Sequence, residues 1–376
     1  MSPGPESSFS AAPGYSGNRP EELPPVTPPS AGYIAQLFLI PALIVMAVVG
    51  VWALFGKLAD SESDWKQLVA ELGSSNEHRR WRAALGIAQL LRNEEIEPPT
   101  DREPLAKHPL VIDSLTELFA KSLASSTPSD EDITHQEFLA RTLGALDADI
   151  KTLPALAEAT RDSYNIEVRK SALMSLASIA GRHFDQATGY NALIDKDLDS
   201  STSRRRLPLT AATISDPATL DQLRRCAQDP EPVIRHLAAF TIGNVGGPDA
   251  ILQLKVMLLD GDRFARANAA VGLARNGSTD CVPALIELMT ESLRPFDRGV
   301  SYESAAEQRT AENSFQVEQP QVVRNCLRAT DDLWATLNES QRAELKAVVK
   351  KISDDFFAPD VRIRASELLN RIDSQR

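Results

Sequence analysis

The sequence predicts an all-α chain built as a solenoid of about seven helix pairs, and three observations carry that prediction. The run Ile234-Arg235-His236-Leu237-Ala238-Ala239-Phe240-Thr241-Ile242-Gly243 recurs 31 residues later as Ala265-Arg266-Ala267-Asn268-Ala269-Ala270-Val271-Gly272-Leu273-Ala274. Turn residues precede both copies, Asp229-Pro230-Glu231-Pro232 in the first and Asp260-Gly261-Asp262 in the second. Period-two alternation, the mark of strands, is absent. A turn followed by a helix with a small-residue face, repeated at a period of about 20–50 residues, describes stacked helical units.

The 376 residues carry a formal charge of −12, which speaks against a general nucleic-acid binder, because phosphate binding needs a clustered cationic surface. Cys226, Cys281 and Cys326 are odd in number and far apart, so they form neither a disulfide framework nor a metal-ligand motif. They read as small buried apolar residues on helices.

Taken in order, residues 1–32 are dominated by Pro, Ser and Gly, as in Leu23-Pro24-Pro25-Val26-Thr27-Pro28-Pro29-Ser30. Too little apolar surface is available to offset ordering entropy, so this tail is expected to be disordered. Its proline pairs suit a plain tether better than an SH3-type ligand.

Residues 33–57 are expected to form a transmembrane helix. From Ile34 to Phe55 no residue is charged, and Tyr33 and Trp52 lie near the ends, where interfacial aromatics belong. A cleaved signal peptide is the rival reading, but a basic n-region is missing and Lys57 spoils the cleavage site. Arg19 on one side against Lys57 and Lys66 on the other leans toward a single-pass membrane protein with a cytoplasmic C-terminal part.

Residues 60–376 read as the solenoid, with insertions around 183–217 and 292–321. The first pair is Asp64–Leu72 and the helix through Arg80-Trp81-Arg82-Ala83-Ala84. Val111–Ala124 with Thr134–Leu146 follows, Gln136 standing where Arg is expected. Ile150–Arg161 then precedes Val168-Arg169-Lys170-Ser171-Ala172. The two copies above take Leu220–Ala227 and Ile251–Leu259 as their first helices. Cys281–Met289 pairs with Val322–Leu327, and Glu344–Ile352 with Val361–Leu369. An eighth pair, Tyr190–Asp197 with Arg204–Ile214, is interrupted by Pro208.

This wording, an Arg followed by paired Ala, then an aliphatic residue and Gly after an Asp-Pro or Asp-Gly turn, resembles HEAT repeats. The short bacterial type, found also in phycobilisome lyases, is the nearest in wording. The resemblance covers roughly Asp60 to the C-terminus and leaves out tail and anchor. It implies that Arg80, Arg169, Arg235, Arg266 and Arg362 form a structural ladder, bonding to carbonyls between repeats or to Asp side chains at the turns. It also implies a concave recognition surface.

No catalytic constellation is found. The five histidines, His78, His108, His135, His183 and His236, are scattered, with no HExxH motif. His183 and Asp185 are neighbours without a third ligand. GxSxG, Walker and GxGxxG motifs are absent, so no cofactor or metal is expected. Arg204-Arg205-Arg206 reads as a solvated loop, with an acidic partner or anionic headgroup as the alternative. The expectation is a membrane-anchored, non-catalytic scaffold that binds a protein on its concave face or on the 292–321 insertion. A chromophore or cofactor lyase of the phycobilisome type is the alternative that the resemblance suggests.

Overall fold

The computed structural model describes residues 32, 39–51, 63–100, 102–125, 127–147, 151–188, 209–297 and 301–374. The tail 1–31, the arginine run 204–206 and most of the doubtful eighth pair lie outside the described residues. Two compact units are present, Met1–Glu62 and Ser63–Arg376.

In the first unit, residues 39–51 are helical, with apolar side chains such as Leu43 and Val48 exposed. The expected transmembrane span is corrected here. Among the described residues no helix is long and apolar enough to cross a membrane. Residues 33–38 and 52–57 of that span lie outside the described residues. The single-pass membrane location, and with it the orientation drawn from flanking charge, loses its basis.

The second unit is all-helical among the described residues, with fourteen α-helices in seven pairs. The pairs are α1 (Ser63–Leu72) with α2 (Glu77–Ile96), α3 (Pro109–Leu123) with α4 (Asp130–Leu143), and α5 (Thr152–Glu158) with α6 (Ile166–Thr188). Then come α7 (Pro217–Cys226) with α8 (Pro232–Val245), and α9 (Gly247–Met257) with α10 (Arg263–Arg275). The last are α11 (Val282–Ser292) with α12 (Ala305–Leu333), and α13 (Glu339–Asp355) with α14 (Pro359–Ser374).

Local chemistry sets the boundaries. Asn76, Asp216 and Asp262 cap α2, α7 and α10, each accepting a backbone N–H of the first turn. Ser129–Asp132 and Asn338–Gln341 form full capping boxes for α4 and α13. Prolines open α3, α7 and α8, where the missing N–H has no partner to lose. Gly246 ends α8 at φ 68°, a conformation that a Cβ would strain.

The second helices of successive pairs, from α4 through α14, pack against one another as one layer. One continuous core joins Trp65 to Ile372. One close seam is α8 on α10, where a Cβ added to Gly243 would meet the Gly272 Cα at 2.7 Å. Ala238, Ala239, Ala269 and Ala270 beside it are fully buried. Small residues here let two backbones approach to a distance that larger side chains forbid.

The segment read as an insertion at 292–321 is mostly helix. Ser304 caps α12, and its first half carries helix-favouring Ala, Glu and Gln. Aromatic rings distant in sequence hold it: Phe315 lies 5.5 Å from Phe296 and 5.7 Å from Phe357, ring centre to ring centre. At 183–217, α6 continues to Thr188, and Thr213 donates its N–H to the Val245 carbonyl at 2.9 Å, so the chain is held from there into α7.

Candidate functional site

The arginines share one geometry. Arg80 Nη1 donates to the Ser74 and Ser75 carbonyls at 2.8 and 3.2 Å. Arg235 Nη1 does so to Asp229 and Pro230 at 2.9 and 3.1 Å, and Arg266 Nη1 to Asp260 and Gly261 at 3.0 and 3.3 Å. Arg362 Nη1 donates to Phe356 and Phe357 at 2.6 and 3.4 Å. In each case a second-helix guanidinium satisfies carbonyls of the turn that leads into its own helix. Arg169 sits behind a longer turn and donates from Nε to the Thr160 carbonyl at 3.0 Å.

A second set of bonds runs forward to the next turn. Arg169 pairs with buried Asp229, and Arg235 holds Asp260. Hydrogen bonds from Arg235 hold the Asp260 carboxyl below the usual carboxylate range. Arg324 bonds Asp360 at 2.7 Å in the same manner. At the weak repeat, Gln136 Nε2 donates to the Ser122 carbonyl at 2.6 Å, so an amide stands in for the arginine's backbone bond. These contacts lie between turns inside the stack, which makes them structural.

The exposed side of the second helices carries a groove of about 640 Å³ that crosses α4, α6 and α8. Met174, Val233 and Leu237 supply apolar surface there, and Glu137, Glu167 and Lys170 supply charge. His236 lines the same groove, its pKa pushed down by burial. Phe240, one turn farther along α8, is also exposed.

A third arrangement was invisible as a cluster in the sequence. Where α1, α2, α3 and α4 meet there is a cleft of about 400 Å³, lined by Glu77, Arg80, Trp81, Lys121, Asp132 and His135, among others. Donor atoms of Glu77, Asp132 and His135 lie within 4.8 Å of one another. The His135 ring stacks on Trp81 with centroids 3.3 Å apart and planes 26° from parallel. Burial pushes the His135 pKa down, against the opposing pull of Glu131, Glu77 and Asp132. Asp132 accepts the Ser129 N–H and hydroxyl on Oδ2 at 2.9 and 2.8 Å. The i, i+3 spacing of Asp132 and His135 was the available signal; Glu77 comes from another helix pair. The remaining candidate, His183 with Asp185, does not form a site: His183 lies 3.8 Å from Asp147, while Asp185 pairs with Arg275.

Fold and face define a helical repeat solenoid, and one stretch of it can be assigned to a type. Residues 265–291, the greater part of α10 and α11, match the family described as PBS lyase HEAT-like repeat. No curated protein matches the chain in sequence. Among solved structures, an engineered protein is 19% identical over 71% of this chain and 97% of its own, with a TM-score of 0.36. The CpcE–CpcF complex of phycocyanin lyase from Nostoc sp. PCC7120 is 15% identical over 83% of this chain and 94% of its own, with a TM-score of 0.35. Human deoxyhypusine hydroxylase in complex with glycerol is 16% identical over 83% and 97%, with a TM-score of 0.27. All three are too distant to bear on what this chain does.

Proposed function

We propose that the chain is a non-catalytic scaffold that binds a protein partner along the exposed face of its second helices. The groove across α4, α6 and α8 carries this reading, since apolar Met174, Val233 and Leu237 lie between charged residues. An apolar centre with a polar rim is the anatomy of a protein interface. The ladder arginines point into the turns and leave this face free for a partner. A photo-crosslinking side chain placed at Met174 should yield a discrete adduct in cells, lost when Leu237→Asp is added. The same probe at Leu252, an exposed residue of α9, serves as the control. Adducts from Leu252 alone, or equally from both positions, would overturn the proposal.

A second reading follows from the family description at residues 265–291, which names a lyase. Under it, the groove would take a chromophore, and co-expression with a bilin would give a coloured protein. A colourless preparation would leave the scaffold reading in place.

A further inference from the structure

We propose that Glu77, Asp132 and His135 bind one divalent transition-metal ion, Zn²⁺ by donor chemistry, linking the first helix pair to the second. One imidazole and two carboxylates from separate helices make an N/O set suited to Zn²⁺ and its neighbours rather than to Cu⁺ or Mg²⁺. With metal–ligand bonds of about 2.1 Å, two ligands of one ion lie at most about 4.2 Å apart. The three donors, within 4.8 Å of one another, are within a small side-chain adjustment of that limit.

Two of the three are already fixed. Asp132 is held by its capping box through Oδ2, which leaves Oδ1 without a hydrogen bond among the described residues. His135 is held flat on Trp81. Asp132 and His135 stand one turn apart on α4 and so face the same way. Glu77, in the first turn of α2, is exposed, and among the described residues its carboxylate has no hydrogen bond or ion pair, so it is free to close on an ion.

The local charge favours a cation. Arg80 is turned toward the Ser74 and Ser75 carbonyls, and Lys121 is paired with Glu117 at 2.7 Å. Neither cation neutralises Glu77 or Asp132. The adjoining cleft leaves room for water as a further ligand, the arrangement of an open site. The position also matters to the fold. The second helices from α4 onward pack closely along one another, whereas α2 meets α4 through the Trp81 ring set against His135 and Phe138. A metal here would be a staple at that junction of the stack.

The test is calorimetric titration of the full chain with Zn²⁺ after chelator treatment, repeated with Mg²⁺. We expect one Zn²⁺ per chain, no comparable response to Mg²⁺, and a Tm that rises with Zn²⁺. Glu77→Gln, an exposed substitution that leaves the core intact, should weaken binding at least about tenfold, since even outer-shell changes cost that much. His135→Gln should abolish it and remove the visible bands of the Co²⁺-loaded protein, while His78→Ala should change nothing. Absence of stoichiometric binding, an equal response to Mg²⁺, or unchanged affinity in Glu77→Gln would overturn the proposal.

Discussion

Arg235 grips Asp260 with two parallel bonds, Nε to Oδ2 at 2.9 Å and Nη2 to Oδ1 at 3.0 Å. Its remaining nitrogen holds the Asp229 and Pro230 carbonyls, so one side chain ties two turns together. Lysine cannot reproduce that fork. Arg235→Lys should therefore cost about 1–2 kcal/mol in urea unfolding, in the range for hydrogen bonds to a charged group. Arg324→Ala removes a more exposed pair and should cost less than about 1 kcal/mol. Equal midpoints for wild type and Arg235→Lys would refute the structural role.

The same pair sets a pH dependence. Asp260 has its pKa lowered in the folded state, first by hydrogen bonds from Arg235. A depressed folded value means stability that is present above the unfolded carboxylate value near 3.8 and lost as pH falls through the folded one. Asp260→Asn should thus be less stable than wild type at neutral pH, with the gap closing below about pH 4. A gap constant from neutral pH to pH 3 would contradict the assignment.

Backbone proximity at α8 and α10 gives a prediction opposite to helix propensity. Ala in a helix is favoured over Gly by about 1 kcal/mol. At Gly243, however, a Cβ would lie 2.7 Å from the Gly272 Cα, a backbone atom that cannot swing aside. Gly243→Ala should destabilise by about 1–3 kcal/mol. Gly261→Ala meets nothing within 4 Å and should be close to neutral. Thermal melts of the two variants side by side test this, and a stabilised Gly243→Ala would refute it.

The three cysteines should be inert in the folded chain. All are free and buried; burial pushes the Cys326 thiol up to about 12 and raises Cys226 and Cys281 as well. A thiolate is the reactive form, so a disulfide reagent at pH 8 should label none quickly and all three after guanidinium is added. Rapid labelling of one in the native protein would show that its helix opens.

Much of this was legible in the sequence because the repeat writes its packing into short spacings. An Arg three and four residues before paired alanines located α2, α6, α8, α10 and α14, or close variants of them. Even the imperfect copy held, since Gln136 still reaches a carbonyl at the end of the preceding helix. Spacing fails where contacts are distant. Phe296, Phe315 and Phe357 are unremarkable until they meet, so spacing alone does not show that the segment around them is helical. Glu77 lies a whole helix pair away from Asp132 and His135, and only folding makes them neighbours. The apolar run after the tail misled for another reason. Hydropathy measures transfer free energy residue by residue, whereas crossing a bilayer also requires a helix of sufficient length, and none is found among the described residues.

The substitution at Gln136 has a consequence for how the stack comes apart. Arg169–Asp229 and Arg235–Asp260 carry ionic links from one pair to the next, whereas Gln136 offers a neutral amide to a single carbonyl. Among the described residues the arginine–aspartate links between turns therefore begin at α6, and the ionic contact that reaches back to α3 is the exposed pair Lys151–Asp113. In amide hydrogen exchange the stretch from α6 to α10 should open as one slow unit, with α1 and α2 taking up deuterium first. The molecule would then fray from its N-terminal pairs toward a protected middle, in an order set by which turns an arginine fastens to the next.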